Sequence, residues 1–256
     1  MIDELAYIHP DAKIGKNVTI GPWTYIGAGV EIGDDSWLSS HVVVKGPTVI
    51  GKGNRIFQFA SVGEECQDKK YAGEETRLII GDHNVIRESV TIHRGTTQDN
   101  WETRIGSHNL FMAYVHIAHD CVVGDNVIMA NNASIAGHVH VGDWAILGGM
   151  TGVHQFVHIG AHAFTAGSSV VLQDVPPFVM ASGFPAKPRG LNIEGLKRRG
   201  FSKESQLAVR RAYKTMYRNG LTLDEAMTEL AAPAEQDEQV KLFTDFVSRS
   251  SRGIVR

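Results

Sequence analysis

Cysteine is almost missing from the 256 residues, with Cys66 and Cys121 the only two. That is too few for a disulfide framework, and no C-x-x-C pair suggests a zinc ribbon or a redox dithiol, so a reducing compartment is the expectation. Excess charge of either sign is missing too: 25 basic residues against 28 acidic leave a formal net charge of −3. Such a balance provides no overall field to hold a nucleic-acid backbone or an anionic membrane, so any anion recognition must be local. No run approaches the roughly 18 apolar residues of a spanning helix. The opening stretch Met1–Pro10 has neither the basic start nor the apolar middle of a secretory signal. A soluble, cytoplasmic protein without stable membrane insertion is expected.

What the sequence does have is a period of six. Aliphatic residues recur at Ile8, Ile14, Ile20, Ile26, Ile32, Leu38, Val44, Ile50, Ile56 and Val62. They recur again from Ile105 through Phe111, Ile117, Val123, Met129, Ile135, Val141, Leu147, Val153 and Ile159, then Thr165 and Val171. The next residue is often glycine, as at Gly15, Gly21 and Gly124, and the fifth is small or β-branched, as at Thr24, Ser36, Ala133 and Thr151. Six residues fit a short strand, a turn and a corner packed by one aliphatic side chain, which is a parallel β-helix coil. Ordinary antiparallel strands, recurring at irregular spacings of about 8–12 residues, would not keep this register.

On these repeats the chain resembles the hexapeptide-repeat acyltransferases. The resemblance implies a left-handed parallel β-helix, against the usual right-handed crossover preference, with three hexads to a triangular coil. Residues about eighteen apart then stack one strand spacing, or about 4.8 Å, from each other. Polar segments near 63–79 and 97–104 break the register and are expected to leave the coil as loops. After Val175-Pro-Pro177 the period ends, and from about Asn192 a helical pattern takes over. Ser202 is expected to cap one helix and Thr222-Leu-Asp-Glu225 to form a capping box for the next. The domain expectation is a β-helix over 1–190 and a small α-helical domain over 191–256.

The coil ruler also gathers chemistry. Eighteen beyond His119 is Gly137 and eighteen further Gln155, while eighteen beyond Asp120 is His138. Ile117 points inward, so His119 and Asp120 are expected on the outer surface. An imidazole can remove a hydroxyl proton, a carboxylate can hold its tautomer, and a glycine N–H can stabilise an oxyanion, which together suit acyl transfer. Clustered histidines are also the material of a metal site, and some hexapeptide β-helices are metal-dependent anhydrases, so that reading comes second, behind acyl transfer. A non-catalytic scaffold is the third.

A narrower resemblance rests on Gln58–Gly63, Gln67–Tyr71, Ile86–Gly95, His116–Asp120, Ala136–Val139, Val153–Phe156, Asp174–Pro177 and Asn192–Gly200. In this order they resemble the UDP-N-acetylglucosamine O-acyltransferases of lipid A biosynthesis. That resemblance implies transfer of a 3-hydroxyacyl group from acyl carrier protein to the sugar 3-hydroxyl, with His119 as base, Asp120 orienting it and Gly137 as oxyanion donor. It also implies substrate contacts for Asp68 and Lys70, and a sugar and acyl groove lined by His116, His138, His154 and Gln155. Gly167 falls near the limit on acyl length. Asn192, Glu194, Arg198 and Arg199 fall on the nucleotide side, where an arginine pair suits a diphosphate. A homotrimer with sites between subunits is implied, and no cofactor or metal is called for. Basic residues including Arg210 and Arg211 offer a face to the acidic carrier protein. Lys69 and Phe184 depart from the family pattern.

Overall fold

The computed structural model describes residues 1–256. Three sheets of nine, eight and ten strands form the sides of a left-handed triangular coil, and up to the final hairpin each strand pairs in parallel with the one three further along the chain. Sheet I runs from Tyr7–Ile8 to Val170–Val171, sheet II from Lys13–Ile14 to His158–Ile159, and sheet III from Thr19–Ile20 to the hairpin Val179–Gly183 and Ala186–Leu191. Most strands are only two residues long. Their stability comes from stacking: Ile26, Val44, Val62, Ile92, Ile117, Ile135, Val153 and Val171 form one inner column of sheet I, none more than 4% exposed. The small fifth position of each hexad is buried beside it, as at Thr24, Ala133 and Thr151. Thr165, the exception in the aliphatic series, is also buried and shares a 3.1 Å hydroxyl hydrogen bond with Thr151. Phe111 keeps the six-residue register and lies wholly inside the coil.

The chain leaves the coil twice. Strand Ser61–Glu64 is followed by Arg77–Ile80, and Thr91–His93 by Glu102–Ile105. The strand Arg77–Ile80 therefore takes back part of the stretch expected as loop. The first excursion stretches the coil step to 30 residues and the second to 25. Both loops emerge on the side that carries His119, and the second returns its side chains to that site.

The hairpin Val179–Gly183 with Ala186–Leu191 is antiparallel and was not foreseen from the hexad pattern. Asn192 then caps α1 (Ile193–Arg198), accepting from the Gly195 N–H, while its own amide donates to the His162 carbonyl at 3.0 Å. Ser202 caps α2 (Lys203–Arg218), and Thr222 with Glu225 completes the capping box of α3 (Leu223–Gln236). Asp237 caps α4 (Glu238–Arg249). The apolar faces of these helices, through Leu196, Val209, Met216, Leu230, Phe243 and Val247, join the same core as the coil. Beyond α4 the chain returns to the coil: Ile254 bridges Asp174, and the Ser250 hydroxyl donates to the Asp174 carboxylate at 2.6 Å. No helix is long and apolar enough to cross a membrane.

Candidate active site

Strand His116–Ile117 ends at a corner where Ala118 leads into His119 and Asp120. Asp120 takes a left-handed conformation, φ 58°, as do the stacked residues His138 and Phe156. Carboxylate and amide side chains tolerate this region better than most, because they hydrogen-bond locally. Asp120 is instead held by partners distant in sequence. Its N–H donates to Thr103 Oγ1 at 2.8 Å, and its carboxylate accepts the Thr96 N–H at 2.8 Å and the Thr96 hydroxyl at 2.6 Å. The remaining partner is His119 Nδ1, 2.8 Å from Oδ2. Asp120 is only 2% exposed, so it sits beneath His119 and not beside it on the surface as the sequence suggested. Burial alone would raise its pKa, but the hydrogen bonds from His119 and Thr96 outweigh that and hold the carboxyl below the usual range. An ionised Asp120 accepts an Nδ1–H, which leaves Nε2 of His119 as the free basic atom.

Nε2 meets Gly137. A Cβ placed on Gly137 would come within 2.5 Å of His119 Cε1 and 2.7 Å of Nε2, so only glycine leaves the imidazole where it is. The N–H of Gly137 has no hydrogen-bond acceptor within the protein. Gln155, at the same corner one coil later, likewise has a free N–H, but only Gly137 presents its N–H with no side chain on the same residue.

A groove of about 610 Å³ runs from this corner across the outer face of sheet I. Its walls include Asp68, His116, His119, Gly137, His154 and Gln155. Its floor is shallow-sided because Ser134 is small and a Cβ on Gly152 would meet nothing within 4 Å. Val170 and Leu172 continue it as an apolar track. His116 Nδ1 shares a 2.7 Å hydrogen bond with the Thr91 hydroxyl, and burial followed by the nearby His119 depresses its pKa. His154 donates from Nδ1 to the Gln155 carbonyl at 3.1 Å. Asp68 accepts the Lys70 N–H at 2.9 Å, the first cause of its lowered pKa.

Several expected residues lie elsewhere. His138 stands behind Asp120 and does not line the groove: its Nδ1 is 3.0 Å from Asp99 Oδ2, its Nε2 3.8 Å from Asp120 Oδ2, and its ring stacks on Phe156 at 4.3 Å. Lys70 and Gly167 line neither this groove nor the next. Asn192, Glu194, Arg198 and Arg199 line a second groove of about 640 Å³, built on sheet III with Asn126, Trp144 and Phe164. Arg199 is fixed there, donating to the Trp144 carbonyl at 2.9 Å and lying over the Trp144 ring at 5.2 Å. The two grooves are on different sides of one chain.

Other residues went unnoticed in the sequence. His93 lines the first groove, is 4% exposed, and has a buried Nδ1 with no partner. Burial and His116 push its pKa down to about 4. Its ring meets that of His116 edge-on at 5.0 Å, across a coil step of twenty-five residues, because the second loop interrupts the eighteen-residue period. Thr96, Asp99 and Thr103 come from that loop or its return strand and show no period at all.

A parallel coil of hexads with a histidine–carboxylate pair at its corner defines a hexapeptide-repeat transferase, and the comparisons agree. The bacterial transferase hexapeptide profile matches residues 102–137, and the UDP N-acetylglucosamine O-acyltransferase domain 2 profile matches residues 174–255. LpxA from Acinetobacter baumannii is 52% identical over 100% of this chain and 99% of its own, with a TM-score of 0.97. The UDP-N-acetylglucosamine O-acyltransferase LpxA from Moraxella catarrhalis is 49% identical over 100% and 99%, TM-score 0.97. The UDP-N-acetylglucosamine acyltransferase of Francisella novicida is 44% identical over 100% and 94%, TM-score 0.98. The chain belongs to the UDP-N-acetylglucosamine O-acyltransferase family.

Proposed function

We propose that this enzyme moves a 3-hydroxyacyl group from acyl carrier protein to the 3-hydroxyl of UDP-N-acetylglucosamine in the cytoplasm, opening lipid A biosynthesis, with no covalent enzyme intermediate. The observation that carries the mechanism is the free Nε2 of His119 beside the unpartnered Gly137 N–H, with Asp120 fixed beneath. His119 Nε2 takes the proton of the sugar hydroxyl as its oxygen attacks the thioester carbonyl. The carbonyl oxygen becomes an oxyanion that accepts the Gly137 N–H, and Asp120 stabilises the imidazolium. Collapse breaks the carbon–sulfur bond, and the proton on His119 passes to the departing thiolate. One ester forms, one thioester is lost, and the base is regenerated.

In this reading Asp68, His116, His154 and Gln155 hold the sugar and the acyl head, and the track past Gly152 to Leu172 receives the chain. Asn192, Glu194, Arg198 and Arg199 hold the nucleotide. Because their groove lies on another side of the chain, a complete site needs the first groove of one copy to face the second groove of another, which a homotrimer provides. His138 orients Asp120 and does not touch substrate.

A metal-dependent sibling activity is the second reading, since His119, Asp120 and His138 place ligand-type atoms within 4.8 Å of one another. One mass-resolved assay separates the two. Wild type and His119→Ala are given UDP-N-acetylglucosamine and 3-hydroxyacyl carrier proteins of several chain lengths, with and without chelator. O-acylated product that is insensitive to chelator and reduced at least ~10³-fold in the variant is expected. Equal product from the variant would sink the base assignment, and loss with chelator would favour the metal.

A further inference from the structure

A third cavity, of about 300 Å³, lies apart from both grooves, between the C-terminal hairpin and the end of α2. Its charged walls are Lys187 and Arg189 from strand Ala186–Leu191, Arg218 from the last turn of α2, and Arg256. No acidic residue lines it, and none of the four cations is in an ion pair. We propose that this cavity binds a phosphate group, either inorganic phosphate or the phosphomonoester end of a small metabolite.

Four like charges brought together from three separate elements repel one another, and an oxyanion relieves that repulsion. Two of the guanidiniums are already oriented. Arg256 donates through Nη2 to the Met216 and Leu221 carbonyls, both at 2.8 Å, which keeps its other nitrogens available. The bond to Met216 also caps a carbonyl in the last turn of α2, where the helix dipole would otherwise oppose an anion. Arg189 is held by Nε donating to Ser182 Oγ at 3.2 Å, leaving its Nη pair free. Forked guanidiniums approaching from different sides match a tetrahedral oxyanion better than a planar carboxylate.

An independent observation comes from the floor. Tyr213 and Tyr217 line the cavity with their rings 4.8 Å apart, and both hydroxyls lie just beneath its surface, buried with no hydrogen-bond partner. Tyr213 is 8% exposed. Buried hydroxyls are seldom left unpaired without a reason. Burial, reinforced by Tyr213, raises the Tyr217 phenol well above its usual value, so it remains a donor throughout the physiological range. The volume exceeds that of phosphate alone and accommodates a small organic group on one oxygen.

The test is thermal unfolding and calorimetric titration of the full chain with inorganic phosphate, against chloride at equal ionic strength. A site of ~1 mM affinity should raise the unfolding temperature by about 3 °C at ~10 mM phosphate. Lys187→Ala with Arg189→Ala removes two exposed side chains and should abolish the rise without changing the chloride baseline or the acyl-transfer rate. Tyr213→Phe should keep or raise the baseline, since it removes an unpaired hydroxyl, yet weaken phosphate binding several-fold. Methyl phosphate binding more tightly than inorganic phosphate would assign the site to a phosphorylated metabolite, and the reverse to the free ion. No rise in wild type, or the same rise in the Lys187/Arg189 double variant, would overturn the proposal.

Discussion

Asp120 depends on Thr96 for two of its hydrogen bonds, and only one of them can be removed by a side-chain change. Thr96→Val keeps the shape and the N–H but deletes the 2.6 Å hydroxyl contact to Oδ2, the oxygen that also holds His119. With one donor fewer, Oδ2 binds the Nδ1 proton more strongly. The acid limb of kcat/KM should move to higher pH, kcat should fall roughly tenfold, and KM should change little, with Thr96→Ser restoring all three. An unmoved pH profile would reduce Thr96 to a packing residue. Gly137→Ala makes a sharper prediction. Its Cβ would overlap the His119 ring, so kcat should fall by about 10²–10³ while the folded state, read by circular dichroism, persists. The His119–Gly137 contact was legible in the sequence because both residues sit in uninterrupted coils. The support from Thr96 and Asp99 was not, because loop residues obey no register.

At the scale of the elements, the hexad is legible for a physical reason: each corner of a coil accepts one aliphatic side chain, so the sequence must repeat as the backbone does. Helix caps were equally readable at Ser202 and Thr222, where a single side chain satisfies an orphan N–H. The hairpin Val179–Gly183 and Ala186–Leu191 escaped because it follows neither period. His93 escaped because the loop lengthens its step from eighteen to twenty-five residues, which puts it opposite a neighbour that no fixed ruler would find. On α2, Arg210 and Arg211 are both exposed beside buried Val209, and in the proposed reading they attract an acidic carrier protein. Charge reversal at both should weaken carrier binding most at low salt, and unchanged affinity by titration would remove α2 from the docking face.

The whole molecule responds to pH through its buried imidazoles. Burial depresses His93, with His116 adding to it, and burial with Arg199 depresses His162, each to about 4 from 6.5. The unfolded chain therefore binds more protons between about pH 6.5 and 4. Stability from these groups is complete above that window and is lost as pH falls through it, by up to ~1.4 kcal/mol per pH unit for the buried His93 and less for the half-buried His162. Denaturant midpoints measured across the window should show a flatter slope in His93→Gln and His162→Gln than in wild type. The separation of the two grooves also makes a prediction about assembly. Co-expressed His119→Ala and Arg198→Ala/Arg199→Ala chains should recover activity that neither has alone, because a mixed assembly can pair an intact first groove with an intact second. No recovery in co-purified mixtures would place the whole site within one chain.

The return of the chain to Asp174 has a consequence for self-association. A stack of parallel strands offers a template at each end, and polymers grow when both ends are open. Here the hairpin covers sheet III and Ile254 lies along the last turn, leaving only the two-residue edge of Val170–Val171. The opposite end is bare, with Met1, Ile2, Leu5 and Tyr7 each about half exposed or more. Strand-on-strand stacking between particles can therefore use only this end, so it ends with two particles and cannot grow into a fibre, whatever the number of copies side by side in each.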